Sequence, residues 1–282
     1  MARKRKTGGR TPRRTRRLRT LIALAVCGAA AGGLAAYRTL SDDSTAERPV
    51  TMEEASRLAL SRLNLYQASP VAISLTATEG GGVVVRVEGV VDYRTRRAVG
   101  SYQVTGAAGA SEPARPSEAS GPAAGQLDRG LIVWDTGGLG LAPAPEGDTG
   151  PPWQRAEHIP RSGWSARSYT TDPLDAGLQL LIELGADRPD NPLLLAQSGA
   201  RRLEPGRIDG RDYDRFAGPR AQGATPRAGS DGGRSPLTYW VDGDGGLRRV
   251  TMRMPGLGTP TTVEFSGRDG RAKLPEAPWK TG

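Results

Sequence analysis

Histidine and cysteine, two residue types that are common in catalytic sites, are scarce in this chain of 282 residues, which has one of each, His158 and Cys27. His158 stands in a polar stretch between Glu157 and Ile159, a setting typical of a surface imidazole. A single imidazole without a thiol beside it cannot complete an ordinary zinc site. The sequence also lacks the Gly-x-Ser-x-Gly pattern of a nucleophile elbow. We therefore expect no catalysis and no cofactor.

Three other short motifs resemble ligand sites only in part. The aspartates of Asp242-Gly243-Asp244 are spaced like the start of a calcium loop. The distal glutamate and the other ligand positions of such a loop are missing, so we interpret the motif as a hairpin turn. Gly80–Gly82 and Gly137–Gly140 lack the Lys-Ser/Thr pair and the strand-to-helix context of a phosphate loop. The sequence therefore predicts no metal or phosphate site.

Positive charge is concentrated at the N-terminus. Residues 1–20 hold ten of the 39 basic residues and no acidic one, which leaves 29 basic and 30 acidic residues in the rest. A nearly neutral body has no electrostatic footprint for polyanions, so we expect no nucleic-acid partner. Arginine outnumbers lysine by 35 to 4, a composition typical of high-GC genomes such as those of actinobacteria.

A hydrophobic segment follows this basic tail directly. Leu21–Tyr37 contains no charged residue, and as a helix it would span about 25 Å, the short end of what a bilayer requires. Positive charge before the segment holds the N-terminus in the cytoplasm. We predict a cytoplasmic tail (1–20), a single transmembrane signal anchor (21–37), a linker (38–50) and an extracytoplasmic domain (51–282) at the cell membrane. Two alternatives stay open, a cleaved secretory signal and a lipoprotein acylated at Cys27.

Local patterns in the domain predict one large sheet with few helices. Thr51–Glu54 is a capping box, and apolar residues at helical spacing follow it to about Gln67. Alternating apolar residues then predict strands, which we expect at Val71–Ala77, Val83–Tyr93, Ala98–Thr105, Leu131–Asp135, Gly163–Thr170, Ala200–Ile208, Arg211–Ala217, Leu237–Val241, Leu247–Met254 and Thr261–Phe265. Two more helices are expected, at Leu174–Leu184 and from Asn191 to just before Gly199.

Three segments rich in Gly and Pro are predicted as loops, namely Gly106–Gly125, Gly137–Pro152 and Pro219–Arg234. The first and third have almost nothing to bury, so we expect them to be disordered. The fold class is then α+β, with a large curved antiparallel sheet, or half-barrel, whose concave side is covered by the helices.

One part of the chain resembles a known family. Tyr239–Val250 reads as a strand, an Asp/Gly turn and an arginine-rich strand, and Thr262–Ser266 continues the pattern. Leu180–Ser198 followed by Gly206–Arg211 adds a helix and a hairpin. Over residues 51–278 this order resembles the LolA-like superfamily, in particular the LppX/LprG-type lipoproteins of actinobacteria. The resemblance implies a half-barrel that encloses an apolar cavity for acyl chains. The chain departs from those lipoproteins at Cys27, which follows a valine where a small residue is usual.

We therefore expect a membrane-anchored domain without catalytic activity that binds an apolar ligand, a lipid or lipoprotein acyl chain, in this cavity. The residues expected to line the cavity are Val85, Val87, Leu178, Leu181 and Trp240. Trp134 and Trp164 are further candidates, with core packing as the alternative for all three tryptophans. The alternative function is an envelope sensor or scaffold whose half-barrel binds a protein partner.

Overall fold

A computed structural model describes residues 47–106, 128–144, 149–219 and 235–277. The predicted basic tail, the predicted anchor at 21–37 and most of the linker lie outside these residues, as do most of the two loops predicted to be disordered. Among the described residues, no helix is long and apolar enough to cross a membrane. The anchor at 21–37 therefore stays a prediction.

The described part of the chain folds into twelve strands and four helices, more of each than the sequence predicts. In chain order they are β1 (Arg48–Pro49), α1 (Met52–Ala68), β2 (Val71–Thr78), β3 (Val84–Asp92), β4 (Arg97–Thr105), β5 (Arg129–Asp135), β6 (Leu139–Pro143), α2 (Pro152–Glu157), β7 (Ser165–Arg167), α3 (Pro173–Leu184), α4 (Pro192–Gln197), β8 (Arg201–Ile208), β9 (Arg211–Ala217), β10 (Leu237–Val241), β11 (Leu247–Met252) and β12 (Thr261–Arg268).

Helix α1 begins at the predicted capping box. Thr51 Oγ1 accepts a hydrogen bond from the Glu54 amide at 3.2 Å, and the Glu54 carboxylate accepts one from the Thr51 amide at 2.9 Å. This reciprocal pair satisfies two amide groups that the first turn would otherwise leave free. Leu58 and Leu65 lie on the buried side of α1 and pack into the core. The cap therefore fixes where the helix starts, and burial holds it against the sheet.

The strands form one antiparallel sheet in the order β1-β8-β9-β10-β11-β12-β2-β3-β4-β5-β6-β7. The predicted meander β2-β3-β4 is confirmed, and so are the hairpins β8-β9 and β10-β11. At the β8-β9 turn Asp209 and Gly210 both have positive φ, 50° and 78°, as a two-residue hairpin turn requires. Pairing of β12 with β2 joins the C-terminal hairpins to the meander.

The two faces of the sheet carry different cores. A main core packs Leu75, Val87 and Val263 of the sheet against α1 and α3. A second, smaller core lies on the opposite face, where Val99, Leu131 and Val133 pack against Ala156 of α2. The three predicted helices, α1, α3 and α4, pack on the main core, whereas α2, which the sequence does not predict, lies on the opposite face. The physical reason is that β5 is apolar on both faces, so its outward side chains also need cover.

The segment Gly137–Pro152, predicted as a loop, contains strand β6. Gly140 and Pro143 weaken the strand signal in this stretch. Its backbone nevertheless pairs with β5, from Trp134 opposite Leu139 to Gly130 opposite Pro143, and Leu139 is fully buried. Pairing with a distant strand therefore makes β6 a strand where local composition does not predict one.

Candidate functional site

Four of the five predicted cavity residues lie together in the main core. Val85 and Val87 project from β3, and Leu178 and Leu181 project from α3 onto the sheet. Val87, Leu178 and Leu181 have no exposed surface at all. All four side chains are therefore packed within the main core. Their role in binding a ligand stays a prediction.

Trp240, the fifth predicted residue, lies on the other face of the sheet. Its chain neighbours Tyr239 and Val241 pack with the main core, so the alternation of β10 turns Trp240 away from it. The ring lies between the guanidinium groups of Arg215 and Arg249. The structure therefore does not bring Trp240 together with the other four residues.

The two further tryptophans are also separated. Trp134 is buried in the main core, whereas Trp164 packs against the second core on the opposite face. Both therefore fit core packing, the alternative that the sequence left open, and they do not line one shared cavity.

A cleft of ≈ 620 Å³ lies at one end of the main core, and we call it the end cleft. It opens where the C-terminal half of α1 meets the turns of the β8-β9 and β10-β11 hairpins. Its volume falls within the range of small-molecule sites. The lining residues are Asn64, Leu65, Ala68, Val71, Asp209, Arg211, Tyr213, Asp242, Gly246, Leu247, Arg248, Phe265, Ser266 and Gly267.

The floor of the end cleft is apolar. Leu65, Val71, Leu247 and Phe265 line it and are at the same time members of the main core. They come from α1, β2, β11 and β12, which pack against one another below the cleft. Because the floor is continuous with the core, an apolar group that enters the cleft would extend the hydrophobic interior.

The rim of the end cleft is charged, and most of its charges are already engaged. Arg248 donates to the Phe265 carbonyl and pairs with Asp209 at 3.1 Å. Asp242 Oδ1 accepts hydrogen bonds from the amides of Asp244 at 3.0 Å and Gly246 at 2.6 Å. Arg211 is exposed and has no ion-pair partner among the described residues. It is therefore the rim cation best placed to take a further anion.

The motifs with partial resemblance to ligand sites have structural roles. Asp242-Gly243-Asp244 forms the turn of the β10-β11 hairpin, as predicted, and Asp242 caps that turn. In the part of the chain that the structure describes, no group of three His, Cys, Asp or Glu residues could hold a metal ion.

The sequence did not reveal the end cleft. Its lining residues come from α1, β2, two hairpin turns and β12, which lie far apart in the chain. Each of the apolar ones fits an ordinary core position of its own helix or strand. Only the order of the sheet, which places β12 beside β2 and β11, shows that they meet.

No family model and no curated protein matches the chain. The solved structures that are similar to it at low level include the following two. An uncharacterized conserved protein from Thermus thermophilus has 9% identity and a TM-score of 0.31, over 74% of this chain and 83% of that chain. A domain from Vibrio parahaemolyticus, described as an outer membrane lipoprotein-sorting protein domain, has 8% identity and a TM-score of 0.19, over 72% and 86%. Neither structure bears on the LppX/LprG type.

Proposed function

We propose that this protein is membrane-anchored and extracytoplasmic, and that it binds a lipid or lipoprotein acyl chain. The acyl chain enters at the end cleft. The observation that carries the proposal is an apolar floor continuous with the main core beneath a charged rim. An amphiphile matches both parts. Its acyl chain would lie on Leu65 and Phe265, and its anionic headgroup would lie near Arg211. Val85, Val87, Leu178 and Leu181 lie in the main core and do not line the end cleft.

The binding free energies expected from the apolar floor and from the charged rim indicate why both are needed. Burying about twelve methylene groups gains about 10 kcal/mol, and association costs about 4 kcal/mol or more. The remaining 6 kcal/mol or so corresponds to a dissociation constant of tens of micromolar. A charge-assisted hydrogen bond from Arg211 adds about 2 kcal/mol and brings the constant to about micromolar. A neutral alkane of the same length should therefore bind more weakly than a fatty acid.

Binding is tested on the purified full chain in detergent with a photoreactive fatty acid, followed by mass-spectrometric mapping of the labelled peptides. Label should appear on the segments around Leu65 and Phe265. The variant Ala68→Trp places a large ring in the cleft and should lower the labelling about tenfold, since it removes roughly 1.4 kcal/mol of binding free energy or more.

The matched control is Gln67→Trp, which adds the same ring to the neighbouring exposed position of α1 outside the cleft. Its labelling should stay within about twofold of wild type. Equal labelling of the two variants would contradict the end cleft as the entry site. A chain that takes up no probe at all would favour the alternative function, an envelope sensor or scaffold for a protein partner.

The anchoring part of the proposal rests on the ten basic residues before Leu21. They favour retention of the N-terminus in the cytoplasm, with the domain outside. A reporter enzyme that is active only outside the cytoplasm, fused after Gly282, should be active in cells. A fusion that is active only with a cytoplasmic reporter would contradict this topology and the function built on it.

A further inference from the structure

The face of the sheet opposite the main core carries a set of side chains that the end cleft does not use. Trp240 of β10 lies between Arg215 of β9 and Arg249 of β11. The guanidinium carbons lie 4.7 Å and 5.1 Å from the centroid of the ring. At these distances both cations interact with the aromatic ring. We call these three residues the Arg–Trp–Arg stack.

A glycine of β8, Gly206, lies directly beside the Trp240 ring of the stack. A Cβ atom on Gly206 would lie 2.2 Å from the Trp240 ring and 2.9 Å from Cδ of Arg215. Real side chains do not approach so closely, so a glycine is required for the ring to lie here. Gly206 also stands where the pairing of β8 with β9 shifts register. Gly206 therefore leaves the space that the Trp240 ring occupies beside Arg215.

The two arginines of the stack differ in how their charges are balanced. Arg249 pairs with Glu264 of β12. Arg215 has no ion-pair partner in the described ranges, and its neighbour on β8 is the uncharged Leu203. Arg215 is half-buried, and the ring orients its planar guanidinium. A guanidinium held in this way is suited to a two-pronged contact with a phosphate oxygen pair.

The position of the stack in the sheet indicates which anion it meets. β1, the first strand of the domain, pairs with β8 at the edge of the sheet, and β9 and β10 follow directly. Only residues 38–46 separate the predicted anchor from the first described residue, Glu47. Nine residues of extended chain reach about 30 Å at most. The stack lies on the third to fifth strands from this edge, so the predicted anchor would keep it near the lipid headgroups.

We propose that the Arg–Trp–Arg stack binds the phosphate of an anionic phospholipid in the outer surface of the membrane and so sets which way the domain faces the bilayer. This inference rests on the anchoring part of the proposed function. The anchor already supplies a high local concentration of headgroups, so a weak contact is enough to orient the domain. One arginine at an anionic surface should shift the orientational equilibrium about fivefold.

The test uses the full chain in phosphatidylcholine vesicles that contain a headgroup-spin-labelled lipid, with and without phosphatidylglycerol. In a Cys27→Ser background, a fluorophore is attached at Thr238→Cys, which lies on the same face as Trp240 and two residues from it. The reference position is Gln67→Cys on α1. We expect phosphatidylglycerol to raise about fivefold the population of domains whose position 238 faces the membrane, seen as increased quenching there. Quenching at position 67 should not change.

Two substitutions separate the stack from general positive charge. Arg215→Gln should lower quenching at position 238 to the level seen without phosphatidylglycerol. Arg207→Gln is the matched control, because Arg207 lies on the neighbouring β8 and is already paired with Asp212 at 2.9 Å. It should leave quenching unchanged. Where thermal melting shows that Arg215→Gln does not fold, Arg215→Lys takes its place and should give intermediate quenching, since it keeps the charge but loses the planar stack.

Each other outcome overturns the inference. Quenching that does not depend on phosphatidylglycerol or on Arg215 contradicts the lipid contact alone, provided that the chain floats with the vesicles. A chain that does not float contradicts the anchoring and the contact together. The third outcome uses polyglutamate as a competitor. It would displace the domain from anionic vesicles and would bind the chain equally well in pure phosphatidylcholine vesicles, in both cases only when Arg215 is present. That result would assign the stack to an acidic protein partner instead.

Discussion

Leu181 shows how a single residue separates a packed core from an open cavity. It is fully buried between α3 and the sheet. Replacing it with tryptophan adds volume where neighbouring side chains already fill the space, so Leu181→Trp should lower the free energy of unfolding by about 1–3 kcal/mol. The measurement is denaturant unfolding of the full chain in detergent, monitored by circular dichroism.

The matched control at the residue scale is Leu193→Trp, because Leu193 is 52% exposed on α4. That substitution should change stability by less than about 0.5 kcal/mol. If Leu181→Trp were as stable as wild type and also abolished acyl labelling, the region around Leu181 would open to hold ligand. The deeper cavity expected from the sequence would then replace the end cleft as the site.

At the scale of elements, an ionic network fastens α1 to the edge of the sheet. The Glu54 carboxylate of α1 accepts hydrogen bonds from Arg48 at 2.8 and 2.6 Å and lies 3.3 Å from Arg202 of β8. Arg202 and Arg57 of α1 both pair with Asp214 of β9, at 2.5 and 2.6 Å. Burial acts to raise the pKa of Glu54, but the bonds from Arg48 and the Thr51 amide outweigh it and lower the pKa to about 2.

This network makes the stability of the α1 contact depend on pH. Because the pKa of Glu54 is lower in the folded state, its contribution is complete above its ordinary value of 4.5 and is lost as the pH falls towards about 2. Glu54→Gln should cost about 2 kcal/mol at pH 7 and progressively less below that window. Thermal midpoints measured at several pH values check this. The control is Glu53→Gln at the exposed neighbouring position, which should leave the stability nearly unchanged. A cost of Glu54→Gln that did not change with pH would contradict the role given to the Glu54 carboxylate.

The elements also show how far local sequence determines the structure. Helix α1 was predicted to within about a residue because its cap and its apolar spacing are local signals. Strand β6 was missed because Leu139–Pro143 depends on pairing with β5, and α2 was missed because its six residues are stabilised by packing on Val99 and Val133. The end cleft follows the same rule, since Leu65 and Phe265 meet only through the tertiary fold.

At the scale of the whole molecule, two predicted low-complexity loops join strands that are already hydrogen-bonded neighbours. Gln103 of β4 lies opposite Arg129 of β5, and the Val104 amide donates to the Asp128 carbonyl at 2.7 Å. Likewise Ala217 of β9 lies opposite Thr238 of β10, and the Gly218 amide donates to the Leu237 carbonyl at 3.0 Å. The ends of each loop are therefore close enough for a short turn to connect them.

Shortening the first of these loops should leave the domain intact. Replacing residues 107–127 by a four-residue turn reduces the entropy lost on closing the loop and should stabilise the fold by about 1 kcal/mol, which raises the thermal midpoint by roughly 2–4 °C. The same replacement of residues 220–234 is the matched comparison and should give a similar, slightly smaller rise. Thermal melting of both variants beside the full chain provides the measurement. A thermal midpoint lower by more than about 5 °C in either variant would show that the removed segment packs against the domain. A loss of acyl labelling with unchanged stability would place that segment at the end cleft.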